Sequence, residues 1–288
     1  MNVRGFLGFA VVSAALFSSF SASAARSAEG YYGRSFVDGY KKGSLRGPAL
    51  RALLHEILDS VHVPTSDGFD EIRASCTAPK CYKHEMVGYD DAREILFGEL
   101  YLTKKNGSYA IPDLYCERIL GSEDLDGAVI GPGKIPDHRY LNTEHTWPQS
   151  DFSRRYVKEL QKSDLHHLFP TDSEMNSRRS SYPFGEVAEE DGRPLKCTNS
   201  KLGESRGGQT VFEPPTSHRG NVARAMFYFA VRYEMNIAEE EEATLRAWDK
   251  ADPADEAEKA RNEVIFGHQH NRNPFVDFPN LADQIGDF

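Results

Sequence analysis

The sequence predicts an α+β fold, a mostly helical single domain built around a small sheet. Three observations predict it. Several long segments carry apolar residues at helical spacing, whereas the runs suited to strands are few and short. The 288 residues are 39 % hydrophobic and 27 % charged, enough apolar material for a real core. Neither an internal repeat nor a linker-like stretch divides the chain, and 23 Gly with 15 Pro predict ample loop.

The elements follow in order. Residues 1–24 read as a secretory signal peptide: Arg4 is the sole charge before Arg26, Phe6 to Phe20 is apolar and small, and Ala22-Ser23-Ala24 is a small-x-small cleavage pattern. That apolar run is shorter than the ~20 residues of a spanning helix, and no later segment is apolar enough to replace it. No Cys follows the run to carry a lipid. From Gly47 to His62, Leu50, Leu53, Leu54, Ile57, Leu58 and Val61 form a helical stripe after Pro48. Asp90 to Leu100 predicts a shorter helix, stopped near Asn106-Gly107. Residues 120–137, rich in Gly, Pro and Asp, read as a long loop. Asp151 to Gln161 predicts a helix, and Leu165 to Phe169, ending at Pro170, a strand. Thr171 or Asp172 can then cap a short helix through Asn176. Residues 183–217 read as loop and short strand. From His218 the helical pattern returns, with Val222, Ala225, Met226, Phe229 and Tyr233 on one face. Ala238 to Ala251 and Pro253 to Phe266 predict two further helices with acidic outer faces.

Cysteine usage agrees with export. Cys76, Cys81, Cys116 and Cys197 are even in number, which favours two disulfides. Of the three possible connectivities, Cys76 with Cys81 and Cys116 with Cys197 is favoured, because the first pair encloses only a short turn. No C-x-x-C with a matching His suggests a structural zinc site.

The formal net charge of −10 argues against a passive nucleic-acid coat protein, which holds phosphates by charge alone. The charge is uneven, however. Between Arg193 and Arg232 there are seven Lys or Arg (Arg193, Lys196, Lys201, Arg206, Arg219, Arg224 and Arg232) against Glu204 and Glu213 alone. The acid excess gathers after Glu234. This split suits a basic cleft backed by acidic helices. With no recognition helix, zinc finger or stacking motif, sequence-tolerant contact is expected.

The densest polar constellation is Asn142 to Ser150 (NTEHTWPQS), followed by Asp164-Leu165-His166-His167 and Asn176-Ser177-Arg178-Arg179. A carboxylate beside a histidine, with an amide oxygen from another segment, offers hard ligands for Mg²⁺ and a neutral base for water. Arginines can grip phosphate oxygens with forked hydrogen bonds. Adjacent strand residues point to opposite faces, so Glu144 and His145 share a site only where the strand bulges or ends. Pro148, three residues on, makes an ending plausible. Taken alone, the dipeptide is more simply a buried His with a surface Glu.

The longer segments change that balance. NTEHTWPQS, Ser163 to Leu168 (SDLHHL), Asn176 to Ser180 (NSRRS), Pro183 to Glu186 (PFGE), Gly220 to Ala225 (GNVARA), Trp248 with Asp252-Pro253, Arg261-Asn262 and Gln269 to Asp277 closely resemble the secreted bacterial endonuclease I family. The resemblance runs in the family's order over residues 90–283 and is loose before residue 85. It divides the chain into the signal peptide at 1–24, an N-terminal helical extension at 25–89 and a nuclease domain at 90–288, the last two forming one compact unit. It implies a ββα-metal (His-Me finger) active site, with His145 as general base, Glu144 and Asn176 as metal ligands, and Arg179 and Arg178 near the phosphate. It further implies an exported, periplasmic or extracellular Mg²⁺-dependent endonuclease, with Mn²⁺ or Ca²⁺ as substitutes. Its substrate would be DNA, with RNA as a second polymer, cut to 5′-phosphate and 3′-hydroxyl ends without strong sequence preference. No obligate protein partner and no membrane anchor are implied. His167 and Ser181 depart from the Asn common at both places in the family. On a strand only one of His166 and His167 can face the site, and His167 is expected to orient a loop while His166 packs.

Two other classes compete. One is a zinc hydrolase drawing on His138, His145, His166, His167, His268 and His270, against which stands the lack of H-E-x-x-H. The other is a non-catalytic exported nucleic-acid-binding protein on the same fold, which would have no need of Glu144, His145 and Asn176 together.

Overall fold

The computed structural model of the chain describes residues 27–77 and 79–288. The expected signal peptide lies outside the described residues. The chain opens with helices α1 (Ala28–Tyr31), α2 (Arg34–Lys41) and α3 (Gly47–Asp59), then pairs β1 (Val61–Pro64) with β2 (Asp70–Arg73). Helix α3 therefore ends three residues before the expected His62. Its backbone leaves the helix at Ser60, and Val61 and His62 enter the antiparallel pair instead. Helix α4 (Tyr89–Ile95) begins on Asp90 and Asp91 and continues as a π-helical turn over Leu96–Leu100. A meander follows of β3 (Thr103–Lys105), β4 (Ser108–Asp113) and β5 (Arg118–Gly121). Asn106 and Gly107 both have positive φ, the requirement of the two-residue hairpin that joins β3 to β4.

The next elements form the centre of the molecule. Strand β6 (Leu141–His145) pairs antiparallel with β7 (Leu168–Asp172), with α5 (Lys158–Lys162) between them in sequence and α6 (Ser173–Arg179) directly after. Two expectations shift here. The helix expected from Asp151 is confined to α5, because the buried Gln161 side chain takes the backbone N–H of Ser153 (2.8 Å) and donates to the Ser153 carbonyl (2.9 Å), holding residues 153–157 as a loop. The strand expected at Leu165 starts at Leu168. Asp164 caps a 3₁₀ turn over Leu165–His167 by accepting from the His166 N–H, so neither His166 nor His167 lies on the strand. Pro170 sits inside β7 opposite Thr143, tolerated because both strands of a two-stranded sheet are edges. Asp172 caps α6, accepting from the N–H groups of Glu174 and Met175.

Strands β8 (Glu189–Glu190), β9 (Lys201–Glu204) and β10 (Thr210–Glu213) form a third small sheet. Helices α7 (Arg219–Arg232), α8 (Glu239–Ala251), α9 (Glu256–Gln269) and α10 (Pro274–Asp277) complete the fold. The sequence pattern gives α7 one apolar face. It is instead buried all round, every residue from Val222 to Arg232 included. It enters the core at Gly220, where a Cβ would stand 1.9 Å from the Asp252 carbonyl oxygen. One core joins Tyr31, Tyr32, Phe36, Leu50 and Leu54 to α7, to Leu245 and Trp248 of α8, and to the C-terminal Phe275, Phe278 and Phe288. A second gathers Leu96, Phe97, Ile111, Leu120, Leu141, Leu165 and Leu168. The architecture is thus α+β, with helices around small sheets. Among the described residues no helix is long and apolar enough to cross a membrane.

Both disulfides join the expected cysteines, Cys76 to Cys81 and Cys116 to Cys197.

Candidate active site

Strand β6 ends at His145, and the ending brings two adjacent side chains to one place. Beyond it, Thr146 turns away and donates both its N–H (3.0 Å) and its hydroxyl (3.1 Å) to the His167 carbonyl. Glu144 and His145 then line a single open cavity of about 440 Å³ together with Asn142, Gln149, Asn176, Arg179, Ser180, Ser181 and Tyr89. Helix α6, packed on both β6 and β7, carries Asn176 and Arg179 into the same cavity.

Glu144 is 2 % exposed, and its Oε1 accepts from the Tyr115 hydroxyl (2.7 Å) and faces Arg179 Nη1 (3.0 Å). No described residue donates to Oε2. Burial pushes the carboxyl above its ordinary value, against the opposing pull of Arg179 and the Tyr115 hydroxyl. Arg179 is itself 1 % exposed and also donates to the carbonyls of His145 (3.0 Å) and Thr146 (2.7 Å), so it clamps the end of β6 to α6.

His145 has a defined tautomer. Its Nε2 lies 3.0 Å from the Lys162 carbonyl, which can only accept, so Nε2 carries the proton. Nδ1 therefore keeps its lone pair, which meets the Gln149 amide nitrogen at 3.3 Å. Burial lowers the imidazole pKa to about 3, helped by the neighbouring His167 ring and the Lys162 ammonium. The ring is neutral at pH 7 and able to accept a proton at Nδ1.

Asn176 donates through Nδ2 to the Thr143 carbonyl (3.2 Å). That bond turns its amide so that Oδ1 is left without a donor among the described residues. Glu144 Oε2 and Asn176 Oδ1 are two hard oxygens on one cavity, a set that suits a divalent cation retaining several waters. Among the described residues no three His, Cys, Asp or Glu side chains converge into a metal cluster. Of the histidines of the zinc alternative, His145 and His167 lie side by side but each gives its Nε2 to a carbonyl, His166 donates to Asn271 O, and His268 pairs with Glu99.

Arg178 does not line the cavity. Its guanidinium lies 3.7 Å from Asp191, and its Nε and Nη2 have no hydrogen-bond partner. His167 packs on His145 and Phe229 and, by donating to the Gln161 carbonyl at 2.7 Å, holds the end of α5 from which Lys162 orients His145. His166 packs on Tyr228.

The basic stretch is not a free surface. Arg193 pairs with Asp191, Lys196 with Asp172, Lys201 and Arg219 with Glu213, and Arg232 with Asp59. Arg224 is buried, bound to Glu258 and Asp249. Most of these acids lie outside the stretch in sequence, which is why a linear charge count overstates its basicity.

Four side groups around the site carried no assigned role in the sequence reading: the Tyr115 hydroxyl, the Gln149 amide, the Lys162 carbonyl and the Tyr89 ring. Tyr115 stands beside Cys116, and the disulfide, with the Ser200 hydroxyl on its carbonyl (2.7 Å), fixes it under Glu144. Gln149 lies within the polar segment that includes Glu144 and His145, so its proximity was legible although its role was not.

A carboxylate, a neutral imidazole and an amide oxygen on a strand pair followed by a helix make a site of hydrolytic type. The chain belongs to the endonuclease I family, whose sequence model matches residues 80–280. It is similar to an extracellular ribonuclease of Bacillus subtilis (strain 168), 33 % identical over 57 % of this chain and 57 % of that one. The extracellular ribonuclease of Bacillus amyloliquefaciens is 35 % identical over 50 % of this chain and 53 % of its own length. A periplasmic deoxyribonuclease of Aeromonas hydrophila is 33 % identical over 40 % of this chain and 48 % of its own. The chain thus spans about half the length of these relatives.

Proposed function

We propose that this protein is an exported, metal-dependent endonuclease that hydrolyses DNA, and RNA as a second polymer, with little sequence preference. The observation that carries the reading is the convergence of Glu144, His145 and Asn176 on one open cavity in an endonuclease I chain. Relatives named as extracellular ribonuclease and periplasmic deoxyribonuclease support both polymers and export. In this reading residues 1–24 are the signal peptide. The extension at 25–89 and the nuclease unit at 90–288 form one compact body, supported by the core that Tyr31, Phe36 and Leu54 share with α7. Strands β6 and β7 with α6 act as the ββα-metal finger.

The chemistry follows from what each side chain can do. A phosphodiester resists attack because its negative oxygens repel a nucleophile. His145 Nδ1 takes a proton from a water, and the water oxygen bonds to phosphorus in line with the departing O3′. The P–O3′ bond breaks, leaving a 5′-phosphate and a 3′-hydroxyl that collects its proton from solvent. The Lys162 carbonyl keeps the His145 ring oriented as the positive charge forms on it. Glu144 Oε2 and Asn176 Oδ1 would hold a divalent cation, Mg²⁺ by the hardness of the donors, with Mn²⁺ or Ca²⁺ as substitutes. When bound, that ion supplies positive charge against the phosphate and the leaving oxygen. Arg179 contributes its charge from the cavity wall, its N–H groups being held by Glu144 and two carbonyls, whereas Arg178, outside the cavity and beside Asp191, is not placed to reach the phosphate.

Incubation of the purified protein with plasmid DNA tests the reading. Cleavage should stop in EDTA and return with added Mg²⁺ but not with trace Zn²⁺. DNA that is bound yet never cut in Mg²⁺ would instead identify a binding protein on the same fold.

A further inference from the structure

Resting on that reading, we infer that Lys162, seated on the ring of Tyr89, holds a backbone phosphate next to the scissile one. A chain that reads sequence weakly must hold its polymer by phosphates, and these need cations that are not already neutralised. Six of the seven basic residues between Arg193 and Arg232 are paired with carboxylates. Lys162 has no carboxylate within ion-pair distance among the described residues. It is partly exposed, and its Nζ stands 3.8 Å from the centre of the Tyr89 ring.

That ring lines the catalytic cavity, and its centre lies 5.6 Å from that of His145. Lys162 meets both that ring and that histidine. Its backbone carbonyl is the acceptor that orients the same histidine, so the cation and the base are fixed to one another through a single residue. Burial keeps the Tyr89 hydroxyl un-ionised, so the ring presents a neutral π-face to the ammonium. The Tyr89 N–H is held by Glu159 of α5 (3.1 Å), which ties the platform to the helix that carries Lys162. Arg93 approaches the same ring at 5.8 Å but is paired with Asp90, which leaves Lys162 as the phosphate contact. The ligand class is a nucleic-acid strand with at least one phosphate beyond the cleaved linkage. This subsite would make the enzyme prefer polymers to small diesters.

The test uses DNA binding in EDTA by fluorescence anisotropy, with His145→Ala and His145→Ala/Lys162→Gln as the two proteins. Lys162→Gln should raise Kd about tenfold at physiological salt and flatten the slope of log K against log[salt] by about one. Lys162→Arg should keep both. On the otherwise wild-type enzyme, Lys162→Gln should reduce the ratio of kcat/KM for DNA to that for bis(4-nitrophenyl) phosphate. An unchanged Kd and salt slope for the Gln variant would overturn the subsite, whether or not the wild-type enzyme cuts DNA. A wild-type protein that binds DNA with the expected Lys162 dependence but never cleaves it would overturn the nuclease reading alone.

Discussion

At the residue scale, the site turns on two neighbours with different tasks. Glu144 is held by Tyr115 and Arg179 on one oxygen, whereas His145 is held by Lys162 on Nε2 and meets the Gln149 amide on Nδ1. In the proposed mechanism, His145→Ala removes the proton acceptor and leaves Glu144 and Asn176 in place. Turnover should fall by ~10²–10⁴, since no neighbouring group is placed to replace it. Metal and DNA binding should persist, as isothermal titration and anisotropy would record. Glu144→Ala and Asn176→Ala should instead weaken metal binding, and excess Mg²⁺ or Mn²⁺ should recover part of their rate. Rescue of His145→Ala but not of Glu144→Ala by extra metal would exchange the two roles.

At the scale of elements, the unit of β6, β7 and α6 is braced from outside itself. Asp113, at the end of β4, accepts from the N–H groups of Tyr115, Cys116 and Asp172 and from Arg118, linking the meander to the junction of β7 and α6. The Cys116–Cys197 bridge closes the same corner. Because it encloses a separation of 81 residues, its loss should destabilise the protein by about 4 kcal/mol in urea titrations of the Cys116→Ser/Cys197→Ser variant. Thiol titration of the denatured, unreduced protein should find no free thiol. The interior of α7 makes a contrasting demand. Arg224→Ala strands Glu258 and Asp249 beside a void in the core, so it should cost about 3–5 kcal/mol of stability. Its melting temperature should drop sharply, and nucleic-acid affinity measured on the folded protein should change little.

At the scale of the whole molecule, acid is the expected weakness. Burial holds five histidines neutral, lowering the pKa to about 4 for His84 and His167 and to about 3 for His145, His166 and His218, from an ordinary 6.5. The unfolded chain takes up protons at these positions below pH 6.5 while the folded chain does not. Stability is therefore complete above pH 6.5 and declines as the pH falls toward 4. Asp164, against its own burial, has its carboxyl held below the ordinary range by the neighbouring His84, His166 and His167 and by the Tyr228 hydroxyl (2.7 Å), and adds a further loss below pH 3.8. Thermal melts in buffers from pH 7.5 to 4 should give a falling Tm throughout the lower half of that range. A flat profile would mean that these imidazoles are already protonated in the native state.

The α+β class, the broad placement of most helices, the paired cysteines and the segments holding Glu144, His145 and Asn176 were all legible in the sequence, because each depends on local periodicity, spacing or a run of neighbouring residues. Asn106-Gly107 and Asp172 acted where they stood, as a turn and a cap. What sequence could not contain was partnership between distant residues. The strand at Leu165 gave way to a turn because Asp164 reached the next backbone N–H, and the helix at Asp151 shrank because Gln161 folded back on Ser153. The basic stretch lost its free charge to acids as remote in sequence as Asp59 and Glu258. Tyr115 came to hold Glu144, and Lys162 to orient His145, only when the chain had closed on itself. Residue types and their spacing determined which groups could do the chemistry. Tertiary packing alone decided which of their atoms remained unpartnered, since a donor or acceptor is satisfied by whatever the fold brings within hydrogen-bond reach.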